Sequence, residues 1–262
     1  MRDILDLDRY PLDQENSAAW KQLVERCSHE LAANGMFNLD NLLRPGVADM
    51  AAAEIRPVMA ASSYQHKRLH NIYFKPEIPE LYAGHPALRQ VETVSHTLCG
   101  DQIPGSIVLA IYEYRPLARF LAAAMGKSAL YVMKDPLARA NVMSYREGET
   151  LNWHFDRSEF TTTLLLQAPE AGGEFEYRSD LRGDDDPNYD GVARLLEGND
   201  PQVKRLKLKA GNLNVFRGKN TAHRVTTVKG NTDRLIAVFS YYEKPDVMFS
   251  ADERTGFYGR AA

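Results

Sequence analysis

The sequence predicts an α+β chain. Residues 1–127 read as a mainly helical portion, and residues 128–262 as an antiparallel β sandwich or jelly roll with a C-terminal tail, the two forming one structural domain. Three observations predict it. Apolar residues recur at helical spacing through the first half. Short runs of β-forming residues, set apart by turn signals, fill the second. No long helical pattern separates those runs, which disfavours a parallel sheet.

The first helix is expected over Ser17–Asn34, where Trp20, Leu23, Val24, Cys27 and Leu31 share a face and Gly35 is the stop. A second begins at Pro45 and carries Val47, Met50, Ala51, Ile55, Val58 and Met59, with Pro57 expected to kink or end it. Two more are expected at Pro86–Leu98 and Pro116–Met125, each with proline at its first position. The last has a stripe of Leu117, Phe120, Leu121 and Ala124. The segment HKRLHNIYF, His66–Phe74, joins the second and third helices and is dense in polar and aromatic groups.

After Lys127 the period changes. Strands are expected at Ala129–Lys134, Asn141–Tyr145, Phe160–Leu166, Glu174–Arg178, Leu206–Lys209, Leu213–Phe216, Arg224–Val228 and Arg234–Tyr242. Ser179–Lys204 breaks the rhythm with Asp184, Asp185 and Asp186 and a short helix around Tyr189–Leu196. The acidic run lacks the spacing and closing glutamate of an EF-hand, so it reads as a solvated loop.

Apolar residues make up 44% of the 262 and charged residues 26%, an ordinary globular composition. The net charge of −3 offers no basic excess for a nucleic-acid partner. No apolar run is long enough to span a membrane. The charged N-terminus shows no secretory signal, and Cys27 and Cys99 read as free thiols, so a cytoplasmic setting is expected.

The informative stretch is Asn152-Trp153-His154-Phe155-Asp156. On a strand, His154 and Asp156 point to one face and make a two-point metal clamp. His223, in TAHRV, supplies a second imidazole. Two histidines and one carboxylate with open positions are the donor set of non-haem Fe(II) oxygenases. Arg234 opens the next expected strand, and a buried guanidinium there needs an anion. The distal carboxylate of 2-oxoglutarate is a natural bidentate partner. A cupin-like metal hydrolase or isomerase would use the same His/Asp/His set with zinc, but has no need of Arg234. A non-catalytic binding barrel would leave the metal set without a purpose.

YxxGxxxxxHxD from Tyr145 to Asp156, TTTLLLQ, GGEFEY, KAGNLNVFRGKNTAHRV and Arg234 together resemble the Fe(II)/2-oxoglutarate-dependent dioxygenases, prolyl 4-hydroxylase-like proteins among them, over about residues 140–245. The resemblance implies a double-stranded β-helix, cupin-like core and a need for O₂. It implies that His154, Asp156 and His223 hold iron, that Arg234 pairs with the far carboxylate of 2-oxoglutarate, and that Tyr145 donates its hydroxyl to the same co-substrate. Over nearly the whole chain, LDLDRYPL, HNIYF, LNWHFDRSEFTTTLLLQAPEAGGEFEY and NVFRGKNTAHRV are similar to the BesD/HalD family of free amino-acid halogenases and hydroxylases. That implies a small zwitterionic substrate. The family's halogenases replace the metal carboxylate with a small residue, whereas this chain has Asp156, so the expected product is an alcohol.

Several further residues are candidates for substrate contact. Arg68, His70, Asn71 and Tyr73 lie in the polar segment, with Arg68 the first choice for a carboxylate. Arg157 and Glu159 follow the metal motif, and Tyr258 in the tail is read as an aromatic lid. Trp153 and Phe155 are read as packing residues, Glu174 and Glu176 as a polar strand face, and His29, His66, His85 and His96 as ordinary histidines.

Overall fold

In the computed structural model, which describes residues 1–262, Ser17 accepts the N–H of Trp20 and opens α1 (Ala18–Asn34), and Gly35, at φ 73°, closes it. The chain continues through β1 (Met36–Leu39), α2 (Val47–Ser62), β2 (Tyr64–His70), β3 (Val91–Leu98), α3 (Ile107–Tyr112), α4 (Arg115–Ala124), β4 (Tyr131–Val132), β5 (Ala140–Tyr145), β6 (Leu151–His154), β7 (Thr161–Gln167) and β8 (Phe175–Arg178). It ends with α5 (Tyr189–Leu196), β9 (Lys204–Leu206), β10 (Leu213–Phe216), β11 (Ala222–Val225), β12 (Arg234–Phe239), β13 (Tyr241–Tyr242) and α6 (Ala251–Tyr258).

One of the two outcomes expected for Pro57 and one expected helix fail here for physical reasons. Pro57 lies inside α2 without ending it, because Ala51, Ala52, Ile55 and Met59 bury one continuous face across the proline. The helix expected at Pro86–Leu98 is a single 3₁₀ turn, Pro86–Leu88, followed by β3. Val91, Thr93, Val94 and Thr97 are β-branched, and β3 pairs on both sides, with β2 and β5. The first half therefore contributes β1, β2 and β3 to a sheet as well as helices.

The larger sheet has the order β1-β10-β7-β12-β5-β3-β2 and the smaller one β6-β11-β8-β9. From β5 to β12 the chain passes back and forth between the sheets, except that β8 and β9 pair with each other in the smaller one, and this is the winding of a double-stranded β-helix. Alternation along each strand divides the interior. Val142, Leu164, Leu213, Val215, Leu235 and Ala237 face outward onto α1, α2 and α4 in one cluster that runs from Leu5 to Phe239. Tyr145, Leu165, Phe175, Phe216 and Ile236 face inward between the sheets. The first cluster contains residues of both halves of the chain. A third cluster, in which α5 packs Val192 and Leu195 against Ile72, Tyr73, Phe155 and Leu181, props the loop after β6. No helix is long and apolar enough to cross a membrane.

Candidate active site

His154 ends β6 and His223 lies opposite it in the register of β11. Their ring centroids are 4.1 Å apart. Asp156 lies beyond the end of β6, not on it. Its N–H donates to the Gly218 carbonyl at 3.0 Å, which folds the loop back so that the carboxylate meets both imidazoles. Asp156 Oδ1 is 3.3 Å from His154 Nε2, and Oδ2 is 3.5 Å from His223 Nε2. One donor atom from each residue falls within 4.8 Å of the others, so the three could hold one metal ion.

The local hydrogen bonds select the metal-binding form of each donor. His154 Nδ1–H donates to the Asn152 carbonyl at 2.8 Å, and His223 Nδ1–H to that of Thr221 at 3.0 Å. Both Nε2 lone pairs are left for the metal. The Thr161 hydroxyl donates to Asp156 Oδ2 at 2.5 Å. Gly218 must be glycine for this approach, since a Cβ there would sit 2.5 Å from Asp156 Oδ2 and 2.4 Å from Thr161 Oγ1. Burial lowers the His223 pKa to about 4, so it is neutral at neutral pH. Burial pushes Asp156 up, but the facing His223 and His154 imidazoles and the Thr161 hydroxyl bring it below the usual carboxylate range. Two imidazoles and a carboxylate are a suitable set for a divalent iron.

Arg234 opens β12 directly opposite Tyr145 of β5, and both side chains are buried. The guanidinium donates from Nε to the Gly173 carbonyl at 3.1 Å and forms no ion pair with any carboxylate of the chain. Burial lowers its pKa to about 10, so it stays charged at neutral pH. Burial raises Tyr145 above its usual range, so its hydroxyl keeps its proton. A buried cation beside a donor hydroxyl, with no anion supplied by the chain, fits the distal carboxylate of a bound dicarboxylate. Gly173, at φ 61°, lets this cation in, because a Cβ there would lie 3.1 Å from Arg234 Cδ.

The other sequence candidates divide. His70 and Asn71 are buried beside the metal set, and Asn71 accepts the N–H groups of Tyr73 and Lys75 in a tight turn. Tyr73 stacks on Phe155 and donates to the Pro187 carbonyl, so it props the loop. Arg68 is exposed, has no ion pair, and lies 4.5 Å over the Phe74 ring, whose centroid is 5.8 Å from that of His154. Arg157 is engaged with Glu253 of α6 at 2.9 Å, and Glu159 pairs with Lys127. Tyr258 corrects the expected lid. It is buried on Cys99, Met133, Leu137 and Ala138, and its hydroxyl donates to Asn141. It anchors α6, as does the Arg254–Asp135 pair. Trp153 faces outward under Arg224, and Glu176 is a buried anion holding Arg205 and Arg224.

Sequence reasoning missed Thr161, Gly218 and Phe74. Alternation along TTTLLLQ could have put Thr161 on the inner face, but nothing in the sequence tied it to Asp156.

A family model described as Halogenase D matches residues 19–255. No curated protein matches the chain in sequence. Among solved structures, the non-haem 2-oxoglutarate-dependent epimerase SnoN of nogalamycin biosynthesis is similar at TM-score 0.58 and 15% identity, over 84% of this chain and 83% of that one. A prolyl-4-hydroxylase from Pseudomonas putida is similar at TM-score 0.51 and 16% identity, over 82% and 97%. HygX from Streptomyces hygroscopicus, solved with nickel and 2-oxoglutarate, is similar at TM-score 0.53 and 11% identity, over 82% and 85%. The fold, the inward-facing donor set and the matched span agree: the chain belongs to the HalD family, within the Fe(II)/2-oxoglutarate oxygenase superfamily.

Proposed function

We propose that the chain hydroxylates an unactivated C–H bond of a free amino acid or a close derivative. The observation that carries this reading is Asp156 itself, a carboxylate held among the metal donors where a halogenase needs room for a halide. When bound, Fe(II) with 2-oxoglutarate and O₂ supplies oxidation of the C–H bond, and succinate and CO₂ are released.

The chain's own residues do the positioning. His154 and His223 present their Nε2 atoms to the metal, and Asp156 supplies the third donor. Arg234 binds the far carboxylate of the co-substrate and Tyr145 donates a hydrogen bond to it. Arg68, exposed and without an ion pair beside the metal set, is positioned to take a substrate carboxylate. Phe175 and Phe216 flank the His223 imidazole and limit water there. The two buried thiols, Cys27 and Cys99, support a reducing, cytoplasmic setting.

The test is a screen of free amino acids and small amines, scored by succinate formation with Fe(II), 2-oxoglutarate and O₂. The reading predicts stimulation by one or a few amino acids. Stimulation by peptides, lipids or nucleic acids alone would contradict it.

A further inference from the structure

Phe74 has φ 55°, a left-handed backbone conformation that a bulky side chain rarely adopts. Its neighbours force it there. Asn71 is 1% exposed, and its Oδ1 accepts from Tyr73 N–H at 3.1 Å and Lys75 N–H at 3.2 Å. Its Nδ2 donates to the Lys75 carbonyl at 2.6 Å, and its own carbonyl accepts from Phe74 N–H at 3.0 Å. Strain of this kind persists where the surroundings over-determine a residue, and it concentrates at functional sites.

The strained backbone puts the ring beside the metal set. Phe74 stacks on His70 at 4.3 Å, carries the Arg68 guanidinium at 4.5 Å, and meets His154 edge-on at 5.8 Å. His70 is itself fixed. Its Nδ1–H donates to the Asn71 carbonyl, and its Nε2 accepts from the Thr93 hydroxyl, both at 2.9 Å. Thr93 Oγ1 also accepts from Asn152 N–H at 3.2 Å, and the Asn152 carbonyl accepts from His154 Nδ1–H. One run of hydrogen bonds therefore ties the ring's support to the orientation of a metal donor.

Resting on the amino-acid reading above, we infer that Phe74 is a specificity-determining residue that sets the distance between the substrate's carboxylate, held at Arg68, and the carbon presented to the metal. The ring bears the guanidinium on a short, rigid support, so the separation from His154 cannot drift as it would for a free arginine side chain. Substrates are then sorted by the number of carbons between carboxylate and attacked position. An amino acid one methylene too short or too long misplaces one end.

The test uses the full-length protein loaded with Fe(II) and 2-oxoglutarate without O₂. Affinities for a series of linear α-amino acids differing by one methylene are measured by titration calorimetry for wild type, Phe74→Tyr and Phe74→Asn. Wild type should favour one chain length over its neighbours by roughly 10-fold or more. Phe74→Tyr, which keeps the ring, should restore that ranking. Phe74→Asn should flatten it to within about 3-fold while keeping metal and 2-oxoglutarate affinity within about 2-fold. Asparagine accepts left-handed backbone readily, so Phe74→Asn should also melt no more than about 2 °C below wild type.

A Phe74→Asn protein with the wild-type ranking would overturn the inference while leaving the amino-acid reading intact. So would one that loses stability, iron and 2-oxoglutarate together, which is the signature of a merely structural residue. If the wild type binds no amino acid in the series, the amino-acid reading is contradicted and this inference falls with it.

Discussion

The Thr161 hydroxyl donates to Asp156 Oδ2 at 2.5 Å, and the same oxygen lies 3.5 Å from His223 Nε2. One side chain thereby fixes the rotation of the carboxylate that completes the metal set. Thr161→Val should weaken iron binding by about 10-fold, the worth of one hydrogen bond to a charged acceptor. Thr161→Ser should restore it. Gly218→Ala should do more damage than Thr161→Val, since its Cβ would drive into both groups. Equilibrium iron titration checks all three, and unchanged affinity in Thr161→Val would refute the role.

Arg234→Gln should raise KM for 2-oxoglutarate by roughly 100-fold, because truncating one side of a buried charge pair leaves the other unpaired. Iron affinity should change far less, as Arg234 is hydrogen-bonded to Gly173 and not to a metal donor. The comparison is KM for the co-substrate against the iron dissociation constant of the same variant. Equal losses in both would mean that Arg234 props the barrel.

His223→Ala should abolish stoichiometric iron binding, and so should His154→Ala, since a three-donor site has none to spare. Inductively coupled plasma measurement of iron per chain reads this directly. One iron per chain retained in either variant would contradict the donor assignment.

Acid should destabilise the metal-free protein through His223. Its folded pKa is depressed to about 4, below the unfolded value near 6.5. The neutral fold-adapted form is therefore fully favourable above about pH 6.5, and its contribution is lost as pH falls toward 4. The loss should be of the order of 3 kcal/mol across that window, measured by denaturant unfolding at several pH values. A His223→Asn variant should lose that part of the slope. An identical slope in the variant would contradict it.

Much of this was legible in the chain. The helix Tyr189–Leu196 and the strand Leu213–Phe216 have in the structure the bounds their patterns predict. The two histidines, Arg234 and Tyr145 lie on strands in the order the sequence suggests, whereas Asp156 is brought in by the loop after β6 and not by strand alternation. β3 was misread because Val91, Val94, Ser95 and Leu98 also satisfy helical spacing, and Pro86 imitates a helix start. Only pairing with β2 and β5 decides between the two periods. Tyr258 and Phe257 are adjacent on α6, and sequence does not say which faces the metal loop. In the structure Arg157 lies 5.8 Å over the Phe257 ring, which packs at the edge of the cluster in which Tyr258 is buried. Thr161, Gly218 and the left-handed Phe74 depend on loop closure between distant segments, which carries no local pattern.

The central claim is that Asp156 occupies the position a halide would need, so that oxygen and not halogen is delivered to the substrate. The most direct measurement is mass spectrometry of the product formed by the wild-type enzyme in chloride or bromide buffer, with the amino acid that stimulates succinate release. The account predicts an alcohol at every halide concentration, with Asp156→Gly opening room beside Thr161 and Gly218 for the halide. A chlorinated or brominated product from the wild type would contradict it.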